Sequence, residues 1–384
     1  MKSHLECWIT AMAVVLLCAA PSVGATVSAL TSFGGGDGHL APGDRPYLAN
    51  DNLQRGLAWN PATGNLLLVN RTGALSVNVI NGLTGADQGT LNLGSGVITG
   101  GTFAGNMIAA ADDGAIYMSN LTTNATSSPY KVYRWTSESA ATPTVAYSGA
   151  PLAGARLGDS LDLVGSGTST RIVAGYSNSP GAAGNNSFAL LTTADGAAFT
   201  SQTISVATNP PAPGDFRFGI TFTDADTVVG KSGTTGSIVD VTGLGVGALN
   251  STFTLDGSSI NPMDYAVVGG VPYLAAVNTS NGGESKLWVY DLSNPASPQI
   301  VAAIDNLPGA SNANINGVGQ VRFGAITGAS AVIYVLNTNN GIQAFKLQGV
   351  PEPTSFALLG VATITFAGAG RRALRGAALQ ANGR

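Results

Sequence analysis

The sequence predicts an all-β fold, a β-propeller of six four-stranded blades closed by its own N-terminal strand, and three observations carry that reading. A strand–turn–strand unit followed by Asn or Ser occurs six times, its second strand starting at positions 66, 116, 172, 228, 273 and 332. The intervals of 50, 56, 56, 45 and 59 residues are the size of propeller blades. Gly, Ser, Thr, Asn and Ala recur between β-branched runs, and no stretch of the body keeps a 3.6-residue apolar period for three turns. Finally, residues 26–33 read as a strand left over before the first unit, while the last unit lacks a fourth strand. An unpaired edge is costly, so the economical solution closes the ring with that spare strand. A pair of β-sandwiches or a β-helix is the alternative that the uneven spacing leaves open.

In chain order, the first unit pairs Gly56–Trp59 with Leu66–Val69 across Asn60-Pro61-Ala62-Thr63-Gly64-Asn65 and ends at Asn70. Such Asn, Pro and Gly clusters are turn chemistry. The second pairs Met107–Ala111 with Ile116–Met118 across Asp112-Asp113-Gly114. The third joins Leu161–Gly165 to Ile172–Ala174, and the fourth Phe218–Thr223 to Val228–Val229 across Asp224-Ala225-Asp226. Tyr265–Val268 with Tyr273–Val277, and Phe323–Thr327 with Val332–Leu336, make the fifth and sixth. Third strands follow at Leu75–Ile80, Tyr130–Trp135, Phe188–Thr192, Ser237–Val241, Leu287–Asp291 and Ile342–Leu347. Fourth strands follow in the first five units, at Gly89–Leu93, Thr144–Tyr147, Phe199–Val206, Ser251–Leu255 and Gln299–Ile304. The echo between Asp215-Phe216-Arg217-Phe218-Gly219 and Gln320-Val321-Arg322-Phe323-Gly324 supports genuine repetition.

This body, residues 26–349, lies between two segments of different character. Lys2 and His4 precede an apolar run from Ala11 to Ala20, and Val23-Gly24-Ala25 offers small residues for cleavage, so residues 1–25 read as a secretory signal peptide. Leu17 before Cys18 does not suit a lipoprotein site. Both cysteines, Cys7 and Cys18, fall in the removed segment, so the mature fold cannot rely on disulfides. Of 17 Lys+Arg and 21 Asp+Glu in the chain, the body keeps all but Lys2, Arg371, Arg372, Arg375, Arg384, Glu6 and Glu352, which leaves 12 against 19, a net −7. That balance argues against nucleic acid and anionic membrane surfaces as partners.

At the other end, residues 350–384 hold Val350-Pro351-Glu352-Pro353-Thr354, an uncharged apolar run at about 355–370, and then Arg371, Arg372 and Arg375. Sixteen helical residues span roughly 24 Å, short of a comfortable bilayer crossing but extendable into neighbouring Ala and Leu. Arginines on one side only predict a cytoplasmic C-terminus and an exported body. A Pro-Glu-Pro box, a short membrane helix and an arginine cluster, in that order, resemble the PEP-CTERM sorting signal. The resemblance implies a Gram-negative bacterium and export through the inner membrane, with signal peptidase acting at one end. The tail is then a transient membrane anchor, with Pro351, Glu352 and Pro353 as the sorting motif read by an exosortase and Arg371, Arg372 and Arg375 as the stop-transfer cluster. It further implies a destination at the cell surface or in an extracellular matrix rich in polysaccharide. The body, through Trp59–Gly64, Ala111-Asp112-Asp113-Gly114 and Lys131–Trp135, also resembles uncharacterised bacterial extracellular propeller-type proteins, a family that carries no established chemistry.

Catalytic side chains are scarce. The mature body has one histidine, His39, beside the glycine-rich stretch Gly34–Gly38, and it reads as a solvated loop residue. Without cysteine and with one histidine, a zinc site is excluded. The pairs Asp112 with Asp113, Asp159 with Asp162 and Asp224 with Asp226 could offer oxygen to calcium, but each lies in or beside a predicted turn and reads as turn chemistry. Neither metal nor cofactor is expected. Trp59, Trp135 and Trp288 sit among apolar strand neighbours and read as packing.

One polar residue marks the entry to each first strand: Arg55, Asn106, Asp159, Arg217, Asp264 and Arg322. Converging at one end of the channel, Arg55, Arg217 and Arg322 with Asp159 and Asp264 would suit a carboxylate- or hydroxyl-rich ligand. Mutual pairing that plugs the channel is the structural alternative. The expectation is a non-catalytic binding protein, with acidic polysaccharide as its ligand. A lyase or glycosidase using Asp159 and Asp264, or a matrix protein without a ligand, are the rivals.

Overall fold

The computed structural model describes residues 24–177, 187–206, 216–231, 234–243, 245–256, 260–279, 285–305 and 312–349. The signal-peptide segment up to residue 23, the sorting motif Pro351, Glu352 and Pro353, the apolar run 355–370 and Arg371, Arg372 and Arg375 lie outside the described residues. The chain divides into a unit spanning Ala25–Gln348 and another made of Met1–Gly24 with Gly349–Arg384, almost all of the latter outside the described residues. Among the described residues no helix is long and apolar enough to cross a membrane.

The large unit is all-β. Two short strands come first, β1 (Thr26–Ala29) and β2 (His39–Leu40). One meander follows as β3 (Gln54–Asn60), β4 (Asn65–Asn70), β5 (Ser76–Asn81) and β6 (Asp87–Thr90). A second is β7 (Ile108–Ala110), β8 (Ile116–Ser119), β9 (Tyr130–Trp135) and β10 (Thr144–Gly149). Next come β11 (Asp162–Val164), β12 (Arg171–Gly175), β13 (Ser187–Thr193) and β14 (Phe199–Val206). These precede β15 (Gly219–Asp224), β16 (Thr227–Lys231), β17 (Thr235–Gly243) and β18 (Val246–Thr254). A fifth is β19 (Ile260–Val268), β20 (Val271–Asn278), β21 (Leu287–Asp291) and β22 (Gln299–Ile304). The chain of strands ends with β23 (Gly319–Thr327), β24 (Ser330–Asn337) and β25 (Ile342–Gln348).

Sequence dictates which strand sits where. Second strands such as Leu66-Leu67-Leu68-Val69 are apolar on both faces and wholly buried, because neighbouring meanders cover both sides. By contrast, Asp87-Gln88-Gly89-Thr90 is exposed along its length and forms an outer edge. The first hairpin is fixed by Asn60, whose Oδ1 accepts a 3.1 Å bond from the Ala62 N–H.

Six apolar clusters hold the ring, each shared by two consecutive meanders. Val77 and Ile108 meet in one, Phe188 and Val228 in another, and Val277 and Val335 in a third. The circuit closes where Leu57 and Leu68 of the first meander meet Leu336 and Ala344 of the last. All six clusters lie within Ala25–Gln348, so this body carries the core it needs to fold by itself. The innermost strands β3, β7, β11, β15, β19 and β23 touch their neighbours around a closed circuit. Close approach there demands glycine: a Cβ on Gly219 would lie 2.0 Å from the Asn261 carbonyl oxygen.

Hydrogen bonding counts differently from the six separate blades expected. Among the described residues there are five sheets, because β14 and β18 pair in parallel over Ser205↔Val246 and Val206↔Gly247 and fuse two meanders into one eight-stranded sheet. The fusion joins the end of β14 to the start of β18, the two longest outer strands at 8 and 9 residues.

Closure uses the N-terminus, though over a shorter span than residues 26–33. β1 pairs antiparallel with β25 from Thr26↔Gln348 to Ala29↔Phe345, and β2 continues on the same edge through His39↔Gln343. Between them Phe33 turns inward and is fully buried. Gly34 permits that turn at φ 69°, where a Cβ would sit 2.0 Å from the His39 carbonyl oxygen. A body starting at Gly34 therefore exposes the β25 edge and is expected to aggregate or exchange strands. Size-exclusion chromatography checks this; a monomer with unchanged melting would rule out the role of β1.

Candidate functional site

Two polar clusters gather at the inner strands, and their arginines differ in exposure: 26% and 29% for the pair that holds Asp159, against 8% for Arg322. The deeper one is built by β23, whose alternation turns Gln320 and Arg322 to the same side, towards the channel. Gln320 accepts from the Leu57 N–H at 2.8 Å and donates to the Ile108 and Leu161 carbonyls at 3.2 Å each. Arg322 donates to the Leu57 carbonyl at 3.3 Å and the Leu161 carbonyl at 3.0 Å. Its Nη1 lies 2.8 Å from Asp162 and 3.5 Å from Asp264. Thr221 donates towards Asp162 at 3.0 Å, with Asp264 at 3.3 Å. The Phe222 and Phe323 N–H groups donate to Asp162 and Asp264 at 2.9 and 2.6 Å. One guanidinium thus serves two carboxylates with 9% and 13% exposed side chains. Burial, reinforced by the Asp162 charge, pushes the Asp264 carboxyl up to about 7 despite the pull of Arg322. This cluster is a plug. A cavity of about 10 Å³ beside it, lined in part by Asp159, Ser160, Gln320 and Arg322, holds one water at most.

The shallower cluster surrounds Asp159, just before β11. Arg156 grips it with two bonds, Nε to Oδ2 at 2.6 Å and Nη2 to Oδ1 at 2.8 Å, and Arg217 adds Nε to Oδ2 at 2.7 Å. Burial would raise the Asp159 carboxyl, but the two guanidinium groups overcome it and hold the group below the usual carboxylate range. Arg55 and Arg71 stand on the other side. Arg55 is 8% exposed and, among the described residues, makes no side-chain hydrogen bond or ion pair and leaves its Nε buried without a partner. Burial lowers its affinity for a proton, with Asp159 and Asp51 opposing and Arg156 assisting. Arg71 stacks 3.6 Å over Phe103, reaches Asn106 Oδ1 only at 3.4 Å, and leaves Nε and Nη2 unpartnered. Burial, then the Arg55 charge, pull its guanidinium down to about 9. Asp51 is engaged elsewhere, accepting from Leu53, Gln54 and Thr72. Four arginines against Asp159 and Asp51 leave two surplus positive charges in a body whose net charge is −7.

Pairing divides the expected gathering of Arg55, Asp159, Arg217, Asp264 and Arg322, although Asp159 and Arg322 line one small cavity. Arg55, Asp159 and Arg217 share the shallow cluster with Asn106, whereas Asp264 and Arg322 lie in the plug. Gly219 opens β15 and Gly319 opens β23, so Arg217 precedes its strand while Arg322 lies three residues inside one. Sequence reading missed Arg71, Arg156, Thr221, Gln320 and the pairing role of Asp162. The alternation Gln320-x-Arg322 in an otherwise apolar inner strand was the available signal.

Other readings also change. His39 is no solvated loop residue: it is 1% exposed in β2, with Nε2 2.8 Å from the Asn340 carbonyl oxygen. Asp159 and Asp162 lie at the entry to β11 rather than at its turn, each paired with arginine. Asp113 and Asp224 do cap turns, accepting from the Ala115 and Asp226 N–H groups. Among the described residues no three His, Cys, Asp or Glu side chains cluster as metal ligands. Trp135 is fully buried and donates to the Asn92 carbonyl, and Trp59 and Trp288 pack against inter-meander clusters.

Fold and site together define an all-β, propeller-like body with a plugged axis and a cationic mouth. Residues 18–174, less than half of the chain, match the family described as "Domain of unknown function (DUF4623)". A DUF4623 family protein from Bacteroides eggerthii shares the fold at TM-score 0.59 and 17% identity, over 86% of this chain and 76% of that one. The major allergen Mala s 1 of Malassezia sympodialis gives TM-score 0.46 at 11% identity, over 78% of this chain and 93% of that one. A Xanthomonas campestris gluconolactonase gives 0.45 at 12%, over 84% and 89%. No curated protein matches the chain.

Proposed function

We propose that the chain is an exported, non-catalytic binding protein whose channel mouth takes acidic polysaccharide. The observation that carries this is the surplus of guanidinium groups at the mouth, two of them with buried nitrogens that lack a partner among the described residues, inside a body of opposite net charge. The deeper cluster sets one guanidinium against two carboxylates, so the surplus of positive charge belongs to the mouth alone. Titration of the body with polygalacturonate, with dextran as the neutral control, tests the reading. Binding is expected to polygalacturonate alone and to weaken steeply with added salt. No heat or shift with polygalacturonate would end it.

A lyase or glycosidase reading would need Asp159 and Asp264 to flank a sugar. They belong to separate clusters, both are held by arginine, and the cavity of about 10 Å³ is lined by Asp159 and not by Asp264.

Processing completes the proposal. Signal peptidase removes residues 1–25, the tail anchors the protein transiently in the inner membrane, and an exosortase cuts near Pro351-Glu352-Pro353. Arg371, Arg372 and Arg375 hold the tail until then. Intact-mass measurement of the released protein is expected to show both termini gone; finding Arg371–Arg384 still attached would overturn the sorting reading.

A further inference from the structure

Asp159 shows how this mouth treats a carboxylate: a planar anion lies between Arg156 and Arg217, each donating through nitrogen at 2.6 to 2.8 Å. Arg55 and Arg71, near enough for the charge of one to act on the other, offer the same donors. Arg55 is more than nine-tenths buried, and its Nε has no partner. Arg71 has two unpartnered nitrogens and one long bond, to Asn106. An unsatisfied charged donor in such a place costs stability, commonly more than a neutral one. Two such cations side by side repel as well. A fold that keeps both is organised for an anion that arrives from outside.

We propose that Arg55 and Arg71 are the residues that bind the ligand, taking the carboxylate of a uronic acid residue between them as Arg156 and Arg217 take Asp159. Phe103 supplies the reason for a sugar acid over a bare anion. Its ring is 37% exposed while Arg71 covers one face, so apolar surface lies directly beside the guanidinium. A pyranose carries a C–H face next to its carboxylate, which matches that pairing. The plug beneath leaves no room for a threaded chain, so the sugar docks from the mouth.

The inference rests on the proposed binding of acidic polysaccharide, and the experiment separates the two. Polygalacturonate, galacturonate monomer and dextran sulfate are titrated into the body and into Arg55→Gln, Arg71→Gln and Lys131→Gln, the last a control on a half-buried cation outside the arginine cluster. Wild type is expected to bind polygalacturonate and, more weakly, the monomer. Arg55→Gln and Arg71→Gln should each weaken both by tenfold or more, with Lys131→Gln within twofold. Thermal melting without ligand gives a second readout: removing an unpaired buried cation should leave the midpoint unchanged or higher. A lower midpoint in both glutamine variants would make the arginines structural and overturn the assignment. Undiminished polygalacturonate binding in both would place the ligand elsewhere and overturn this inference while the functional reading stands. Absence of wild-type binding sinks both. Binding of dextran sulfate with none of the monomer would mean a diffuse polyanion surface, which also overturns the assignment.

Discussion

Arg322→Leu is expected to lower the stability of the body by about 3–5 kcal/mol, the range seen when one partner of a buried ion pair is removed. Its guanidinium is the counter-ion shared by Asp162 and Asp264, and it ties the last meander to the Leu57 and Leu161 carbonyls across the axis. Without it, two buried carboxylates lose their charge partner and two carbonyls lose a donor. Either the acids take up protons or water enters the axis, and both loosen the ring where every inner strand meets its neighbours. Urea unfolding of the body at pH 7 measures the effect, and an unchanged midpoint would refute it. Arg322→Lys should recover part of the loss, since it keeps the charge but cannot span both acids and both carbonyls. Arg322→Leu combined with Asp162→Asn and Asp264→Asn should recover more, because an ion cluster removed whole is far less damaging than one broken.

How much of this was visible in the sequence depends on the kind of signal. Repeats of turn and β-branched run place the meanders, because backbone hydrogen bonding and burial act locally and leave a pattern at fixed spacing. The spare segment after Ala25 points to closure for the same reason, an edge needing a partner. The eight-stranded sheet was not legible, since the pairing of Ser205 with Val246 depends on how far two outer strands overreach. Site residues fared unevenly. Arg217-Phe218-Gly219 and Arg322-Phe323-Gly324 look equivalent as letters, yet the strands start at Gly219 and Gly319, so the two arginines end up at different depths. Arg71 and Arg156 sit in loops whose path no periodicity encodes. His39 read as exposed because glycines surround it, although β2 pairing carries it inside.

Stability of the body is expected to fall as pH rises from about 4 to 7, opposite to the trend of a protein held by ordinary salt bridges. The cause is Asp264, buried beside Asp162, with a carboxyl pushed up to about 7 from an ordinary value of 3.8. Because its folded pKa lies above the unfolded one, the folded chain keeps a proton that the unfolded chain releases throughout that window. The protonated acid favours folding, so this contribution is complete below pH 4, declines through the window and is lost above 7. Asp159 acts in the other sense: held low by Arg156 and Arg217, it contributes stability above its ordinary range that disappears only as pH falls below it. The two together place the optimum near pH 4 to 5. Urea midpoints at pH 5 and pH 8 should therefore favour pH 5 in the wild type. In Asp264→Asn the difference should largely vanish, because Arg322 then faces Asp162 with no second carboxylate competing for it. Equal wild-type midpoints at the two pH values, or an undiminished difference in the variant, would show that the axial cluster carries no excess acid and that Arg322 balances its neighbours unaided.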